Sequence, residues 1–141
     1  SSAASDVYKR QIRCAVMHSR FNKYDIRNEL QVFHTTEEAD NSYNILKRLL
    51  ENGADISKKD SKGNSVLERV VLDARQVLPA FHRATNELAK NREITAEIKS
   101  DLSRIFKLLF EYGVDPNGLD RISNMRLIDY YNGEPVCEFL K

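Results

Sequence analysis

The chain carries nearly the same thirteen-residue phrase twice, as ILKRLLENGADIS at residues 45–57 and as IFKLLFEYGVDPN at residues 105–117. Six of the thirteen positions are identical, and they are Ile45/Ile105, Lys47/Lys107, Leu49/Leu109, Glu51/Glu111, Gly53/Gly113 and Asp55/Asp115. At the same spacing the match continues through Asp60/Asp120, Asn64/Asn124 and Leu67/Leu127. A match that stays in register over this length indicates an internal structural repeat, in which similar units pack against one another.

Each copy of the phrase has the pattern of a helix end followed by a turn. Apolar residues in the first copy follow the i, i+3, i+4 spacing of an amphipathic helix, at Ile45, Leu46, Leu49 and Leu50. Gly53 supplies the left-handed conformation at which helices commonly end, and Asp55 has a side chain suited to hold the next turn. We therefore predict positive φ angles at both Gly53 and Gly113.

Helix starts are marked by two capping boxes, Thr35 with Glu38 and Ser65 with Glu68. Together with the apolar periodicity, they predict helices over residues 36–52, 65–90, 94–112, 124–131 and 135–140. Pro79 lies inside the longest of these, so we expect a kink or break near residues 75–79. An extensive sheet is not expected, because alternating apolar and polar residues do not form runs of useful length.

The first residues, SSAASDVYKRQ, lack an apolar period before Ile12 and read as a tail. The string DVYKRQ also resembles translated adapter sequence. We therefore predict a disordered or non-native tail over residues 1–10 and a single domain over residues 11–141.

The succession of a helix, LLENGAD, the polar hairpin KDSKGNS and a new helix resembles the ankyrin repeat. Gly53-Ala54-Asp55 matches the helix-end signature of that family, and Leu67 and Leu127 fall on the Leu of its Thr-Pro-Leu-His-x-Ala helix start. Residues 11–18 resemble the inner helix of an earlier, truncated repeat. The resemblance implies an all-α fold, a solenoid of stacked antiparallel helix pairs with hairpin loops, built from about two repeats plus the truncated one.

The chain departs from the ankyrin pattern in two ways. Each helix pair carries an insertion of roughly two dozen residues over the standard length of about 33, which we interpret as elongated helices. The Pro and His of the helix start are also absent, since Val66 and Glu68 stand there in one copy and Arg126 and Ile128 in the other. The hydrogen bonding that this His gives between repeats is therefore lost.

Motifs for catalysis or for binding metals and cofactors are not found in the sequence. The three histidines are far apart, the serines of the first hairpin lack a G-x-S-x-G elbow, and the five glycines form neither a P-loop nor G-x-G-x-x-G. We predict no catalytic residue, no metal ligand and no cofactor. Lys58, Lys59 and Lys62 form a small basic tip beside Asp60, but aromatic residues that would stack on bases are missing nearby.

Charge and cysteine usage bear on partners and compartment. Lys and Arg number 22 against 21 Asp and Glu, and this net charge of +1 gives no general argument for nucleic acid or an anionic membrane. No apolar run approaches the length of a membrane span. The two cysteines, Cys14 and Cys137, do not suggest a disulfide framework. We predict an intracellular, cytoplasmic monomer.

The resemblance implies a non-catalytic module that binds a protein partner through hairpin tips and the inner-helix face. Two alternatives remain open, namely the terminal repeats of a larger effector or regulatory protein, and a small helical enzyme with an unrecognised site. Core positions are committed to packing, and they are Leu49, Leu50, Leu67, Val70, Leu109 and Leu127. The contact positions implied for a partner are Lys59, Ser61, Lys62, Asn64, Leu72, Asp73, Leu119, Arg121 and Asn124. Leu119 and Arg121 are the pair most suited to dominate contact energy, as an exposed apolar anchor beside an Arg.

Overall fold

A computed structural model of the chain describes residues 2–24, 27, 29–32, 34–90 and 92–141, with the side chains of all of these except 2–5 and 32. This part of the chain is mostly helical. Its helices are α1 (Ser2–Met17), α2 (Thr36–Glu51), α3 (Val66–Val77), α4 (Ala96–Glu111) and α5 (Leu127–Tyr130), followed by a 3₁₀ helix (Pro135–Phe139). Its strands are short, namely β1 (Asn22–Tyr24), β2 (Leu30–Val32), β3 (Phe81–His82), β4 (Glu87–Leu88) and β5 (Arg92–Glu93).

Helix starts follow the capping residues of the sequence. The Thr35 hydroxyl accepts a hydrogen bond from the N–H of Glu38, and the Ser65 hydroxyl accepts one from the N–H of Glu68, both at 3.2 Å. Thr95 caps α4 in the same way. Each bond satisfies one of the free N–H groups of a first helical turn. The predicted starts of α2 and α3 are thus confirmed to within one residue.

Helix α3 is shorter than predicted, because it ends at Val77 and does not continue to residue 90. Leu78 is extended, with φ −87° and ψ 156°, as expected for a residue that precedes a proline. The break near Pro79 is therefore confirmed, but the helix does not resume beyond it. Instead, β3 pairs with β4 in a hairpin that places Phe81 opposite Leu88.

The segments between α1 and α2 and between α3 and α4 contain short strands, so the interpretation of the added length as elongated helices is wrong. Strand β1 lies in the middle of a three-stranded antiparallel sheet of order β2–β1–β5. Strand β1 thereby connects the segment that follows α1 with the segment that precedes α4. Leu88, which falls in the helix predicted over residues 65–90, is exposed in β4.

A helix occupies residues 2–10, where the sequence predicts a tail. Tyr8 and Lys9 of this helix are buried. The Tyr8 hydroxyl donates a hydrogen bond of 2.6 Å to the carbonyl oxygen of Asp55. The segment is therefore fixed by contacts with a loop that lies far along the chain.

The core lies between α1, α2, α3 and α4 and extends to the 3₁₀ helix. Of the predicted core residues, Leu50, Leu67, Val70, Leu109 and Leu127 are buried, whereas Leu49 is only partly buried. The 3₁₀ helix covers the far end of the core with Val136, Leu140 and Phe139, whose ring stacks on Phe106 at 5.5 Å between centroids. Within the described ranges, no helix has the length and apolar character needed to cross a bilayer.

An ion pair between Arg20 and Asp101 joins the end of α1 to α4. The backbone N–H and Nε of Arg20 donate to Oδ2 of Asp101 at 2.8 and 3.0 Å, and Nη2 donates to Oδ1 at 2.8 Å. The Asp101 carboxylate is buried. Three charge-assisted bonds to one carboxylate fix the direction in which the chain leaves α1.

The two copies of the repeated phrase have the same backbone structure. Gly53 and Gly113 have φ angles of +87° and +102°, which confirms the predicted left-handed conformation. The N–H of each glycine donates to the carbonyl oxygen three residues earlier, and the next N–H donates to the carbonyl oxygen five residues earlier. The carboxylates of Asp55 and Asp115 then each accept a bond from the backbone N–H two residues later.

Candidate binding surface

We call residues 52–65 the first hairpin and residues 112–126 the second hairpin. Each is closed by an aspartate at a matched position. Oδ1 of Asp60 accepts bonds from the N–H groups of Lys62 and Asn64, at 3.0 and 2.8 Å. Oδ2 of Asp120 accepts bonds from Ile122 and Ser123, at 3.2 and 2.8 Å. Both tips are therefore held by a carboxylate that satisfies the turn's own backbone.

These bonds lower the pKa values of both carboxyl groups. For Asp60, partial burial acts in the opposite direction, but the N–H groups of Asn64 and Lys62 and the charge of Lys9 together outweigh it. For Asp120, the N–H of Ser123 is the largest cause. Each tip is thus more stable when its aspartate is ionised.

The first hairpin is attached to α1 by polar side chains. Nζ of Lys9 donates to the carbonyl oxygens of Lys58 and Asn64, at 2.6 and 3.0 Å, and so binds both arms of the hairpin. Oδ1 of Asp6 accepts a bond of 3.1 Å from the N–H of Ser61. The Lys9 side chain is 2 % exposed, and its burial lowers the pKa of the ammonium group against the raising effect of nearby acidic residues.

A cleft of about 390 Å³ lies between α1, the first hairpin and α3. We call it the basic cleft, and its lining consists of Asp6, Lys9, Arg10, Arg13, Asp60, Ser61, Lys62 and Arg69. Five of these residues are cationic and two are anionic. Ser61 and Lys62 belong to the predicted contact residues. The four other basic residues were not predicted as contacts. Three of them lie on α1 and the fourth lies on the face of α3 that packs against α1, and the sequence does not show that these two faces meet.

Asp73 lies beneath the basic cleft and is 0 % exposed. Its Oδ1 accepts hydrogen bonds from Nη1 of Arg13 at 3.1 Å and from Nη2 of Arg69 at 3.0 Å. Burial raises the pKa of Asp73, while both guanidinium groups oppose that shift. The sequence predicts Asp73 as a partner contact, whereas the structure buries its carboxylate fully against two arginines.

Two further predicted contact residues are less accessible than expected. Asn64 is buried, and its backbone carbonyl is bound by Lys9, so it supports the first hairpin from within. Leu72 of α3 is half-buried. The remaining hairpin residues of the prediction are exposed, and they are Lys59, Ser61, Lys62, Leu119, Arg121 and Asn124.

The second hairpin ends in an apolar tip, which we define as Leu119, Ile122 and Met125. Their side chains are 47 %, 79 % and 47 % exposed. The loop that carries them is ordered by a bridge between Leu119 and Arg126 and by the bond from the N–H of Asp120 to the carbonyl of Met125. Ile122 and Met125 were not predicted as contacts, although two apolar residues in an otherwise polar hairpin were a visible signal.

The two hairpins meet at Arg121. Burial raises the pKa of the Glu68 carboxyl group in the first turn of α3, and the nearby Arg121 opposes that shift. The Cδ of Arg121 lies 4.0 Å from the position that a Cβ on Gly63 would occupy. The apolar tip and the first hairpin therefore belong to one edge of the molecule.

A second cavity, of about 620 Å³, lies among the β3–β4 hairpin, the start of α4 and the 3₁₀ helix. Its apolar walls come from Leu78, Phe81, Leu88, Ile94 and Phe139, and Lys99, Glu134 and Glu138 add charged groups. It lies away from all of the predicted contact residues. Among the side chains that are described, no group of three or more His, Cys, Asp or Glu is placed to hold a metal ion.

No protein-family model, no curated protein and no solved structure matches this chain. Any inference about its function therefore rests on the geometry of the chain itself.

Proposed function

We propose that the chain is a non-catalytic protein-binding module of the ankyrin type, which meets a protein partner with its two hairpin tips and the neighbouring faces of α1 and α3. The observation that carries this proposal is the apolar tip. Single exposed apolar residues are common on protein surfaces, but three within one short loop expose a larger apolar area to water. Contact with a protein surface would remove that area from water.

The order of the loop supports a binding role for the tip. The carboxylate of Asp120 and the Leu119–Arg126 bridge hold the backbone before any partner arrives. A preorganised loop loses less conformational entropy on binding than a flexible one, so more of the contact energy remains as affinity. Arg121 stands between the apolar tip and the first hairpin, and arginine is enriched among the residues that dominate contact energies.

Matched loops support the ankyrin-type arrangement within this proposal. In both hairpins the helix ends at a left-handed glycine, and an aspartate then holds the tip. In this arrangement α1, α3 and α5 are the inner helices, and α2, α4 and the 3₁₀ helix are the outer ones. The strands are then insertions between an inner and an outer helix.

The experiment compares partner capture by the wild-type protein, by the Leu119→Ala/Arg121→Ala double variant and by a matched control. The control is Ile45→Ala/Arg48→Ala, which removes an exposed apolar residue and an exposed arginine from the outer helix α2. We expect a protein captured by the wild type and by the control to bind the hairpin variant about tenfold more weakly, because truncating such residues costs about 1 to 2 kcal/mol.

Equal melting temperatures of the three proteins exclude unfolding as the cause of weaker binding. If the hairpin variant captures the same protein as tightly as the control does, the second hairpin is not part of the binding surface and the proposal fails.

A further inference from the structure

Positive charge is concentrated in the basic cleft although the whole chain is nearly neutral. Five cationic and two anionic side chains line the cleft, whereas the complete sequence has a net charge of only +1. A cleft with a surplus of one sign of charge attracts ligands of the opposite sign. The local surplus therefore indicates an anionic ligand.

Three of the five cations are held in place by hydrogen bonds to other parts of the chain. Arg13 and Arg69 share Oδ1 of the buried Asp73, and Lys9 donates to two backbone carbonyls. Each guanidinium group has five N–H donors, and the bonds to Asp73 use one from each. Their positions are thus fixed, while donors remain that can face the cleft.

The other two cations, Arg10 and Lys62, are exposed and stand on opposite sides of the cleft, one on α1 and one on the first hairpin. Within the described residues, neither the Arg10 side chain nor the Lys62 side chain makes an ion pair or a hydrogen bond. Their charges are therefore available to a ligand, and substituting them removes no contact that holds the fold.

We propose that the basic cleft binds an acidic segment of a protein partner, with Asp or Glu carboxylates between Arg10, Arg13 and Lys62. This inference rests on the proposed function and names the chemistry of the partner. Arginine donates two parallel bonds to a carboxylate, which gives both strength and direction to the contact. The available volume suits a few side chains.

Nucleic acid fits the cleft less well than an acidic peptide does. None of the described residues that line the cleft is aromatic, so these residues offer bases no ring to stack on. Asp6 and Asp60 lie in its walls and would repel a continuous phosphate backbone. A peptide can place its carboxylates away from these two residues.

The test uses fluorescence anisotropy with the full chain and three labelled probes. These are a peptide in which Glu and Asp residues are separated by Gly, the same peptide with Gln and Asn in their place, and an oligothymidylate of similar length. We expect binding of the acidic peptide and no binding of its amide counterpart. Affinity for the acidic peptide should fall when salt is raised from about 50 mM to about 200 mM, because exposed charges are screened.

Variants then locate the site. Arg10→Gln/Lys62→Gln should weaken binding of the acidic peptide about tenfold or more, while Lys47→Gln/Lys107→Gln should leave it unchanged. The control removes the same charge from exposed positions on α2 and α4. No binding of the acidic peptide, equal weakening in both variants, or tighter binding of the oligothymidylate would each overturn the inference.

The hairpin variant separates this inference from the proposed function. Leu119→Ala/Arg121→Ala leaves the basic cleft intact, so it should bind the acidic peptide as the wild type does. If the peptide does not bind but that variant still loses its protein partner, the cleft inference fails and the binding module stands. If the peptide binds while the hairpin variant captures its protein partner as well as the wild type does, the proposed role of the apolar tip is refuted and the cleft inference stands.

Discussion

The two hairpins have similar backbone conformations, but the side chains that they expose are different. Both begin at a left-handed glycine and both are held by an aspartate at the tip. The first presents Lys59, Ser61 and Lys62, whereas the second presents an apolar tip beside Arg121. The shared positions of the repeat thus determine how the chain turns, and the positions that differ determine which side chains each turn exposes.

The hairpins also differ in how they are attached to the helix beneath them. The first hairpin is held to α1 by the buried ammonium group of Lys9 and by Asp6. The second hairpin approaches α3 closely at Gly118, where an added Cβ would lie 2.8 Å from Cδ2 of Leu67. Lys58 occupies the position of Gly118 in the first hairpin. The first hairpin is therefore attached by a charged side chain, and the second by close packing against Leu67.

Replacing the charged anchor should have the largest effect. We expect Lys9→Met to lower the free energy of unfolding by about 3 kcal/mol, because it leaves the carbonyls of Lys58 and Asn64 without their buried donor. Chemical denaturation measures the loss, with Lys47→Met on an exposed face as the control. Hydrogen exchange should increase in the first hairpin more than in the second, and an equal increase in both would contradict separate attachment.

Filling the close contact of the second hairpin should cost somewhat less. Gly118→Ala inserts a methyl group against the buried Leu67 and against the carbonyl of Asp115, so we expect a loss of about 2 kcal/mol. The matched change in the first hairpin is Lys58→Ala, at an exposed side chain, and it should lie within about 0.5 kcal/mol of the wild type. Thermal and chemical denaturation of both variants check the difference, and equal losses would refute it.

Removing the shared aspartates should have the smallest effect and should affect both hairpins alike. Asp60→Ala and Asp120→Ala each free two backbone N–H groups at a hairpin tip, so we expect each to cost about 1 kcal/mol at neutral pH. Strongly unequal losses would show that the tips do not have a common design.

The same pair gives a pH dependence with a defined sign. Folding lowers the pKa of Asp60 and of Asp120, so their ionised forms stabilise the folded state above the unfolded value of about 4. This stabilisation is lost as the pH falls through the folded pKa values. The difference in stability between wild type and either variant should therefore be constant near neutral pH and should shrink below about pH 4. A difference that grows in acid would contradict this assignment.

Local signals in the sequence predicted where α2 and α3 begin and where α2 and α4 end. A capping box such as Ser65 with Glu68, or a glycine such as Gly53, acts within a few residues. The helix start or end that it marks can therefore be identified directly in the sequence. The extent of α3 was not predictable in this way. The apolar period continues past Pro79 to Leu88, but β1 pairs with β5 and so brings together insertions that are remote in the chain.

The candidate site was predicted in part for the same reason. Hairpin residues such as Lys62, Leu119 and Arg121 are exposed because loops lie on the surface, and the sequence marks the loops. The burial of Asp73 was not predicted, because one of the two arginines that pair with it, Arg13, is on another helix. The basic cleft itself depends on how α1 packs against α3, and periodicity does not specify that packing.

Arg20 and Asp101 bond the end of the first helix to the fourth helix, across most of the length of the chain. In a linear array of repeats, each unit contacts only its neighbours, so a terminal unit can open alone. Here the release of α1 breaks three charge-assisted bonds and leaves the carboxylate of Asp101 in the core region without them. The N-terminal helix and α4 are thereby coupled into one cooperative unit, which raises the sequence separation of the contacts that folding must form and suppresses fraying at that end.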